Sequence, residues 1–413
     1  MKSAVHMTYA WSRPYFSTKG EEKVYLLIEL KGTAQPSKNR APLNVSLVLD
    51  RSGSMHGEPL AYSKQACQFV VEQMDARDQL SLVAFDNEVT TVFPPSQVTL
   101  KDKLKQQITT IESGGSTNLS GGLLEGAGYV RKGKQEGTVN RVILLSDGHA
   151  NVGITDRNQL VEIAREYYTS GVGISAMGVG DGFDEELMEV LAEYGGGNFH
   201  YIRKPDDIPS IFEQELQGLL SVVAQNVKIT LQPSNHAQIT GIYGYRAEEQ
   251  DGVSMVQAGD LFGEEVKGLL IEMSIDPHAS GTHTVLMATS EYIDVTEGAA
   301  ACTLCCEVKG NFSSDLEQLA EPADPNVMNY VQLMRSAKTI ETAMEALDQG
   351  DVETGKALLQ MQADEMYQFA AENGDAQLQA EAELLAEHLP YFAYSGQMRK
   401  ELHAQKYRQM KRR

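Results

Sequence analysis

Between Asn44 and about Leu220 the chain alternates strand and helix signals. Short apolar runs, NVSLVLD, QLSLVAFD, RVILLSDG and GISAMGVG, end in Gly or Asp. Between them lie helical stretches such as PLAYSKQACQFVVEQM, LKDKLKQQITTIE, LLEGAGYVRK, QLVEIAREYYTS and DEELMEVLAEY. Strands joined by helices must pair in parallel, and the crossing helices cover both faces of the sheet. The runs are apolar along their whole length instead of alternating, as expected of buried central strands. The expectation is an α/β domain with a doubly wound, mostly parallel sheet over residues 43–221. One break in the alternation falls between QLSLVAFD and EVTTVF, which Asp86 and Asn87 split with a turn.

The flanks have another pattern. KVYLLIELKG alternates like a half-buried strand and leads into the turn-rich linker TAQPSKNRAP. After the α/β region come NVKITLQ, QITGIYGYR, VSMVQAG, VKGLLIEMS, HTVLMATS and CTLCCEVKG. Short strands at regular spacing imply an antiparallel β-sandwich. One strand before and six after place the α/β domain as an insertion in that sandwich. Domain termini lie close together, which makes insertion easy. From Asp324 the period changes to three and four, with breaks at Gly350-Asp351 and Asn373-Gly374, which predicts a C-terminal α-helical subdomain. The expected organisation is 1–42 as N-terminal strand or strands of the sandwich, 43–221 as the α/β domain, 222–312 as the remainder of the sandwich, and 324–413 as a helical bundle with a basic tail.

Charge excludes some functions. The chain of 413 residues carries a net charge of −22, and such a field repels phosphate, so neither nucleic acid nor an anionic membrane is an expected partner. The end of the chain is the exception. Arg399, Lys400, Lys406, Arg408, Lys411, Arg412 and Arg413 face only Glu401. A solvated basic helix end is the favoured reading, and a docking tail is the alternative. The sequence has no apolar run long enough for a signal peptide or a membrane span, so the expected location is cytoplasmic. Cys67, Cys302, Cys305 and Cys306 are too few for a disulfide framework and are expected as reduced thiols.

The chemistry sits at the ends of the predicted strands, where doubly wound sheets bind ligands. Directly after NVSLVL comes Asp50-Arg51-Ser52-Gly53-Ser54. A carboxylate and two hydroxyls, each two residues apart, can point to one place in a tight turn, and Gly53 permits the path. Thr117 lies in the Gly-rich loop before a helix, and Asp147 ends the strand RVILLSD. Oxygen-only ligands suit a hard cation: Mg²⁺, with Mn²⁺ or Ca²⁺ as alternatives. His56 and His149 flank the site as rim residues, because imidazole is a poor ligand for Mg²⁺. Arg51 can pair with an incoming carboxylate or lie in solvent, and solvation is favoured. Asp86 and Asn87 are expected as turn residues, and Asp181 and Asp184 as a turn and a helix cap.

This D-x-S-x-S motif, together with Thr117 and Asp147 after it, resembles the metal-ion-dependent adhesion site (MIDAS) of the von Willebrand factor A (VWA) domain family, whose fold is Rossmann-like. The resemblance covers the α/β region and implies roles for its residues. Ser52 and Ser54 would bind the metal through their hydroxyls, Thr117 would join when a ligand engages, and Asp50 and Asp147 would act mainly through bridging waters. A cation held by neutral hydroxyls and water stays electrophilic, and an Asp or Glu of a protein partner would complete it. The implied function is metal-ion-dependent protein binding of the adhesion or scaffold type. The strand before the domain and the sandwich after it resemble inter-alpha-trypsin inhibitor heavy chains and their bacterial relatives. Two other functions compete: a metal-assisted hydrolase, and a structural subunit of a larger complex, with or without an associated ATPase. Against an enzyme, the sequence has no GxxxxGK[ST], no HExxH and no GxSxG.

Overall fold

The computed structural model describes residues 4–33, 40–296, 298–392 and 396–411. Most of the linker TAQPSKNRAP, and Arg412 and Arg413 of the basic tail, lie outside the described residues. In chain order, β1 (Val5–Trp11), β2 (Phe16–Ser17) and β3 (Glu22–Gly32) come first. The α/β unit is next, as β4 (Leu43–Asp50), α1 (Glu58–Gln73), β5 (Gln79–Phe85), β6 (Val89–Gln97), α2 (Lys101–Thr109), α3 (Leu119–Gly133) and β7 (Val139–Ser146). It closes with α4 (Arg157–Thr169), β8 (Gly173–Val179), α5 (Glu185–Tyr194), β9 (Gly196–Ile202) and α6 (Ile208–Leu220). Then come β10 (Val222–Pro233), β11 (Ala237–Tyr243), β12 (Ala247–Gln250), β13 (Val253–Phe262), β14 (Val266–Ile275), β15 (Gly281–Asp294) and β16 (Ala300–Ser313). The chain ends in α7 (Leu316–Leu319), α8 (Pro325–Asp348), α9 (Val352–Asn373), α10 (Ala376–His388) and α11 (Gly396–Lys411).

The α/β sheet has the order β6-β5-β4-β7-β8-β9. All pairs are parallel except β5 with β6. Every residue of β4, β7 and β8 is buried, as their apolar runs require. Along β4, Val45, Leu47 and Leu49 join the core under α1, α2 and α6, while Val48 joins the opposite core under α3, α4 and α5. Two covered faces explain why the strand sequences do not alternate.

The sandwich comprises one sheet in the order β1-β3-β14-β11 and another in the order β12-β13-β10-β15-β16-β2. β3 lies between β1 and β14, with Leu26 opposite Ile271. The α/β unit thus leaves and re-enters the chain between strands of one β-structure. Among the described residues three strands precede it and seven come after it, against the one and six expected. β12 was invisible because all of AEEQ is exposed. It exists as a hairpin with β13, turned by Asp251 (φ 53) and Gly252 (φ 76). An Asp-Gly pair with both φ positive is the favoured two-residue hairpin turn.

A buried ion pair joins the two units. Arg141 on β7 is 1% exposed and donates from Nη2 to Asp260 Oδ2 on β13 at 2.7 Å. Asp260 Oδ1 accepts from the Asn226 backbone at 3.1 Å. Nearby, Glu215 on α6 accepts from Ser175 (2.5 Å) and Asn198 (2.8 Å) and meets His200 at 3.0 Å. Burial works to raise the Glu215 carboxyl, but His200 and the Arg141 charge outweigh it and hold the group at about 2.

The helical region has a core of its own, with Ile340, Leu359, Met366, Leu378 and Leu402 fully or almost fully buried. It is also fastened to both other layers. Tyr330 of α8 packs on Gly268 of β14 so closely that a Cβ there would lie 2.2 Å from its ring. Among the described residues the basic tail is largely docked and not a solvated helix end, against the favoured expectation, although Arg408 is exposed. On α11, Lys400, Leu402, His403, Gln405, Tyr407 and Gln409 are buried. Arg399 donates to Glu185 (2.9 Å) and Glu186 (2.7 Å), Lys400 to Glu185 (3.0 Å), and Lys406 pairs with Glu189 (3.0 Å). The tail docks in cis on α5 because complementary carboxylates await it there. Among the described residues no helix is long and apolar enough to cross a membrane.

Removing one partner of the Arg141–Asp260 pair leaves an uncompensated buried charge. Asp260→Ala should destabilise the protein by about 3–5 kcal/mol, seen as an earlier denaturant midpoint. A midpoint equal to wild type would mean that the pair is not sealed from water.

Candidate metal centre

β4 and β7 are hydrogen-bonded neighbours in parallel, with Leu49 opposite Leu145. Their ends therefore deliver Asp50 and the Ser146-Asp147 pair to one rim of the sheet. Asp50 is 0% exposed. Its Oδ1 accepts from the Ser52 backbone N–H (2.8 Å) and its Oδ2 from Ser146 Oγ (2.5 Å). Both carboxylate oxygens are thus oriented, and the turn after β4 is pinned to β7. Ser52 Oγ and Ser54 Oγ lie 3.2 Å apart, and Ser54 Oγ donates to Asp147 Oδ1 at 2.7 Å.

Thr117 arrives from the loop before α3. A Cβ on Gly148 would lie 3.1 Å from Thr117 Oγ1 and 3.9 Å from Ser54 Oγ, so these hydroxyls share the rim beside Asp147. The Thr117 backbone donates to Asn151 Oδ1 (2.8 Å) and accepts from the amides of Asn151 (3.1 Å) and Val152 (3.2 Å). The Gly-rich loop is stitched to the first turn by Gly53 N to Gly115 O (2.9 Å) and Gly114 N to Arg51 O (2.7 Å). The structure brings Asp50, Ser52, Ser54, Thr117 and Asp147 to one place from three separate loops.

Arg51 departs from the favoured expectation. It is not solvated but pairs with Asp86 at 3.2 Å. Asp86 in turn does more than form a turn. It is 5% exposed, its Oδ1 accepts from Glu88 N (2.8 Å), and its Oδ2 accepts from Gly115 N (3.3 Å). A Cβ on Gly114 would lie 1.7 Å from Asp86 Oδ2, so only glycine fits there. Asp86 therefore braces the loop that carries Thr117. Its position at the end of a buried strand, level with Asp50, was the signal available. Ser146 and Asn151 had no comparable signal, because their roles depend on partners far away in sequence.

The electrostatics ask for a positive charge. Burial raises the Asp50 carboxyl against the hydrogen bond from Ser146, with the Asp86 charge adding to the rise. Burial pushes Asp147 up to about 6, opposed by Ser54 and helped by the Asp50 charge. Arg51, the nearest cation in sequence, is engaged by Asp86. Two buried carboxylates meeting three hydroxyls form an oxygen-only donor set that fits a hard divalent cation. Among the described residues no cluster of three or more His, Cys, Asp and Glu could hold a metal, so hydroxyls are needed to complete any such site.

The other candidates are peripheral. His56 Nδ1 meets Ser113 Oγ at 3.0 Å, and His149 is exposed. Asp184 caps α5 by accepting from Leu187 N (2.9 Å), as expected, and Asp181 accepts from Tyr201 Oη (3.4 Å). The cysteines are free thiols, with Cys67 buried in the α/β core.

Residues 44–214 match the von Willebrand factor type A domain family model. The chain is 28% identical over 284 residues to an uncharacterised protein of Synechocystis sp., a match covering 66% of this chain and 67% of that protein. It is 25% identical over 314 residues to human inter-alpha-trypsin inhibitor heavy chain H3, covering 74% of this chain but 32% of that one. The chain thus spans about two thirds of the first relative and about one third of the second. Among solved structures, the von Willebrand factor type A structure from Catenulispora acidiphila superposes with a TM-score of 0.75 at 16% identity, covering 92% of this chain and 88% of that one. At that identity the likeness concerns the fold.

Asp147 predicts a pH signature for the metal-free protein. Its folded value, about 6, lies above the ordinary 3.8, so the folded state holds the proton more tightly than the unfolded one. The carboxyl then favours folding at low pH and loses that advantage as pH rises through about 6. In EDTA, Asp147→Asn should melt higher than wild type at pH 7, and the difference should vanish towards pH 4. A constant difference across that range would assign the effect to something other than this ionisation.

Proposed function

We propose a binding role for the von Willebrand factor type A domain that this chain carries over residues 44–214: it grips a protein partner through a divalent cation at the β4–β7 rim. The observation that carries this reading is the Ser54 hydroxyl, set between Ser52 Oγ (3.2 Å) and Asp147 Oδ1 (2.7 Å). Ser52, Ser54 and Thr117 would hold the ion by their hydroxyls, with Asp50 and Asp147 balancing its charge. Mg²⁺ suits this set best, with Mn²⁺ or Ca²⁺ as alternatives. When bound, the cation supplies an electrophilic centre that an Asp or Glu carboxylate of the partner completes. The chain's own part is preorganisation: Asp50 orients the turn through both oxygens, and Asp86 and Asn151 fix the Thr117 loop.

The site is read as a binding module and not an enzyme. Its hydroxyls are engaged with one another and with Asp147, while the nearby imidazole of His56 meets Ser113 instead. The free thiols favour a reducing compartment, which supports a cytoplasmic location.

Calorimetric Mg²⁺ titration tests the reading. Asp50→Ala should weaken the ion at least about tenfold, roughly the 1.4 kcal/mol of one charge-assisted contact. Thr117→Ala should reduce partner capture in Mg²⁺ more than it reduces metal affinity, and EDTA should abolish capture by wild type. Metal affinity should also fall as pH drops through about 6, where Asp147 takes up its proton. Equal Mg²⁺ affinity in wild type and Asp50→Ala would exclude this site.

A further inference from the structure

The end of β8 connects to α5 through Gly180 to Asp184, and this connection lies against the metal rim. A Cβ on Gly182 would lie 2.6 Å from the Asp147 carbonyl oxygen, which is closer than real side chains come to backbone. Glycine at 182 therefore lets the loop lie directly behind Asp147, whose carboxylate receives Ser54. The next residue, Phe183, is 0% exposed and anchors the loop. A Cβ on Gly178 would lie 2.2 Å from its ring, and Tyr201 tilts against it at 5.9 Å.

The C-terminal helix grips both this anchor and the start of α5. Lys400 Nζ lies 4.9 Å over the Phe183 ring and donates to Glu185 at 3.0 Å. Arg399 bridges Glu185 and Glu186, and His403 and Lys406 close on Glu189 at 3.1 and 3.0 Å. Burial works to raise these carboxyls, but it is outweighed and they lie below their ordinary range: Glu185 by a backbone hydrogen bond and Lys400, Glu186 by Arg157 of α4 and Arg399, and Glu189 by His403 and Lys406. Without α11, three acidic side chains would share the first turns of α5 with Arg157 as the remaining paired cation. The grip spans more than 200 residues of sequence and ends one residue from the loop behind Asp147.

We propose that Arg399, Lys400 and Lys406 of the C-terminal helix are positioning residues for the metal centre, acting by holding α5 and Gly182 so that Asp147 is presented to the cation. The inference rests on the metal-binding reading above. None of these cations reaches the donor oxygens. Their effect passes through Phe183 and the Gly182 backbone. Divalent-cation affinity therefore depends on a helix that contributes no ligand.

The test is Mg²⁺ titration of the full chain by calorimetry, with circular dichroism to confirm folding. Lys400→Glu should bind Mg²⁺ about tenfold more weakly, a shift of ~1.4 kcal/mol. Lys400→Arg, which keeps a cation against Glu185, should hold most of the affinity. Gly182→Ala, which leaves α11 intact, should weaken binding by a similar factor. A folded Lys400→Glu with wild-type affinity would overturn the proposal. So would an equal loss in a folded Lys400→Arg, because the loss would then follow the change of side chain and not the lost charge. Should Lys400→Glu fail to fold, Gly182→Ala decides alone: wild-type affinity there removes the coupling. Asp147→Ala separates the two levels. No difference between it and wild type means that the metal reading itself fails, and the proposal with it; a difference confined to Asp147→Ala sinks the positioning role alone.

Discussion

The hydrogen bonding of β4 to β7 is the constraint on which the site depends. Parallel neighbours in register end at the same height, so a carboxylate closing each strand must meet the other at one rim. The arrangement has a cost, because Asp50 and Asp147 are both desolvated and repel one another. A sheet whose strands are buried on both faces cannot relieve that repulsion by moving apart. The hydroxyls of Ser146 and Ser54 offset part of it, each donating to one carboxylate. What remains is a rigid place in which one more positive charge is favourable. Loops supply Ser52, Ser54 and Thr117, but the strands decide where those loops converge.

The same physics explains what could be read from the sequence. The doubly wound sheet was legible because full burial demands unbroken apolar runs, and NVSLVL and RVILL are such runs. The convergence of Asp50, Ser52, Ser54, Thr117 and Asp147 was legible because each sits where a run stops or a Gly-rich loop opens, and because their pattern resembles a known motif. Arg51 and the basic tail were misread for one reason. Burial of a charged side chain is decided by its partner, and the partners lie 35 and more than 200 residues away, at Asp86 and at Glu185 to Glu189. Apolar periodicity carries no trace of such pairs. α11 reads as a solvated helix by composition, yet much of it is enclosed because Arg399, Lys400 and Lys406 meet carboxylates of α5. β12 was missed for the opposite reason: it buries nothing, and only its Asp-Gly turn betrays it.

The chain connects its layers by charge as well as by apolar contacts such as Leu27 and Leu270 with Val327 and Tyr330. Arg141 with Asp260 ties the α/β sheet to the sandwich, and α11 ties the helical region to α5. Such pairs add little net stability, since desolvation consumes most of the attraction. Their effect is on uniqueness. An apolar contact tolerates sliding, whereas a buried guanidinium left without its carboxylate costs several kcal/mol. The two units are therefore locked in one relative placement, and the loop behind Asp147 inherits it.

That locking also shapes how an acidic partner could approach. The net charge is −22, and Arg399, Lys400 and Lys406 of the basic tail are engaged by carboxylates of α5. At long range the protein repels the very carboxylate that the rim is suited to receive. Screening confines this repulsion to about 8–10 Å in physiological salt. Within that distance a cation held at the rim would dominate, because the attraction between unit charges grows steeply as water is excluded. Selectivity must then come from contact and not from steering. On the proposed reading, an acidic residue presented on a shape that seats against the rim would gain the metal, while a merely acidic surface would meet only the field. A strongly acidic protein whose rim held such an electrophile would by this logic be protected from indiscriminate binding.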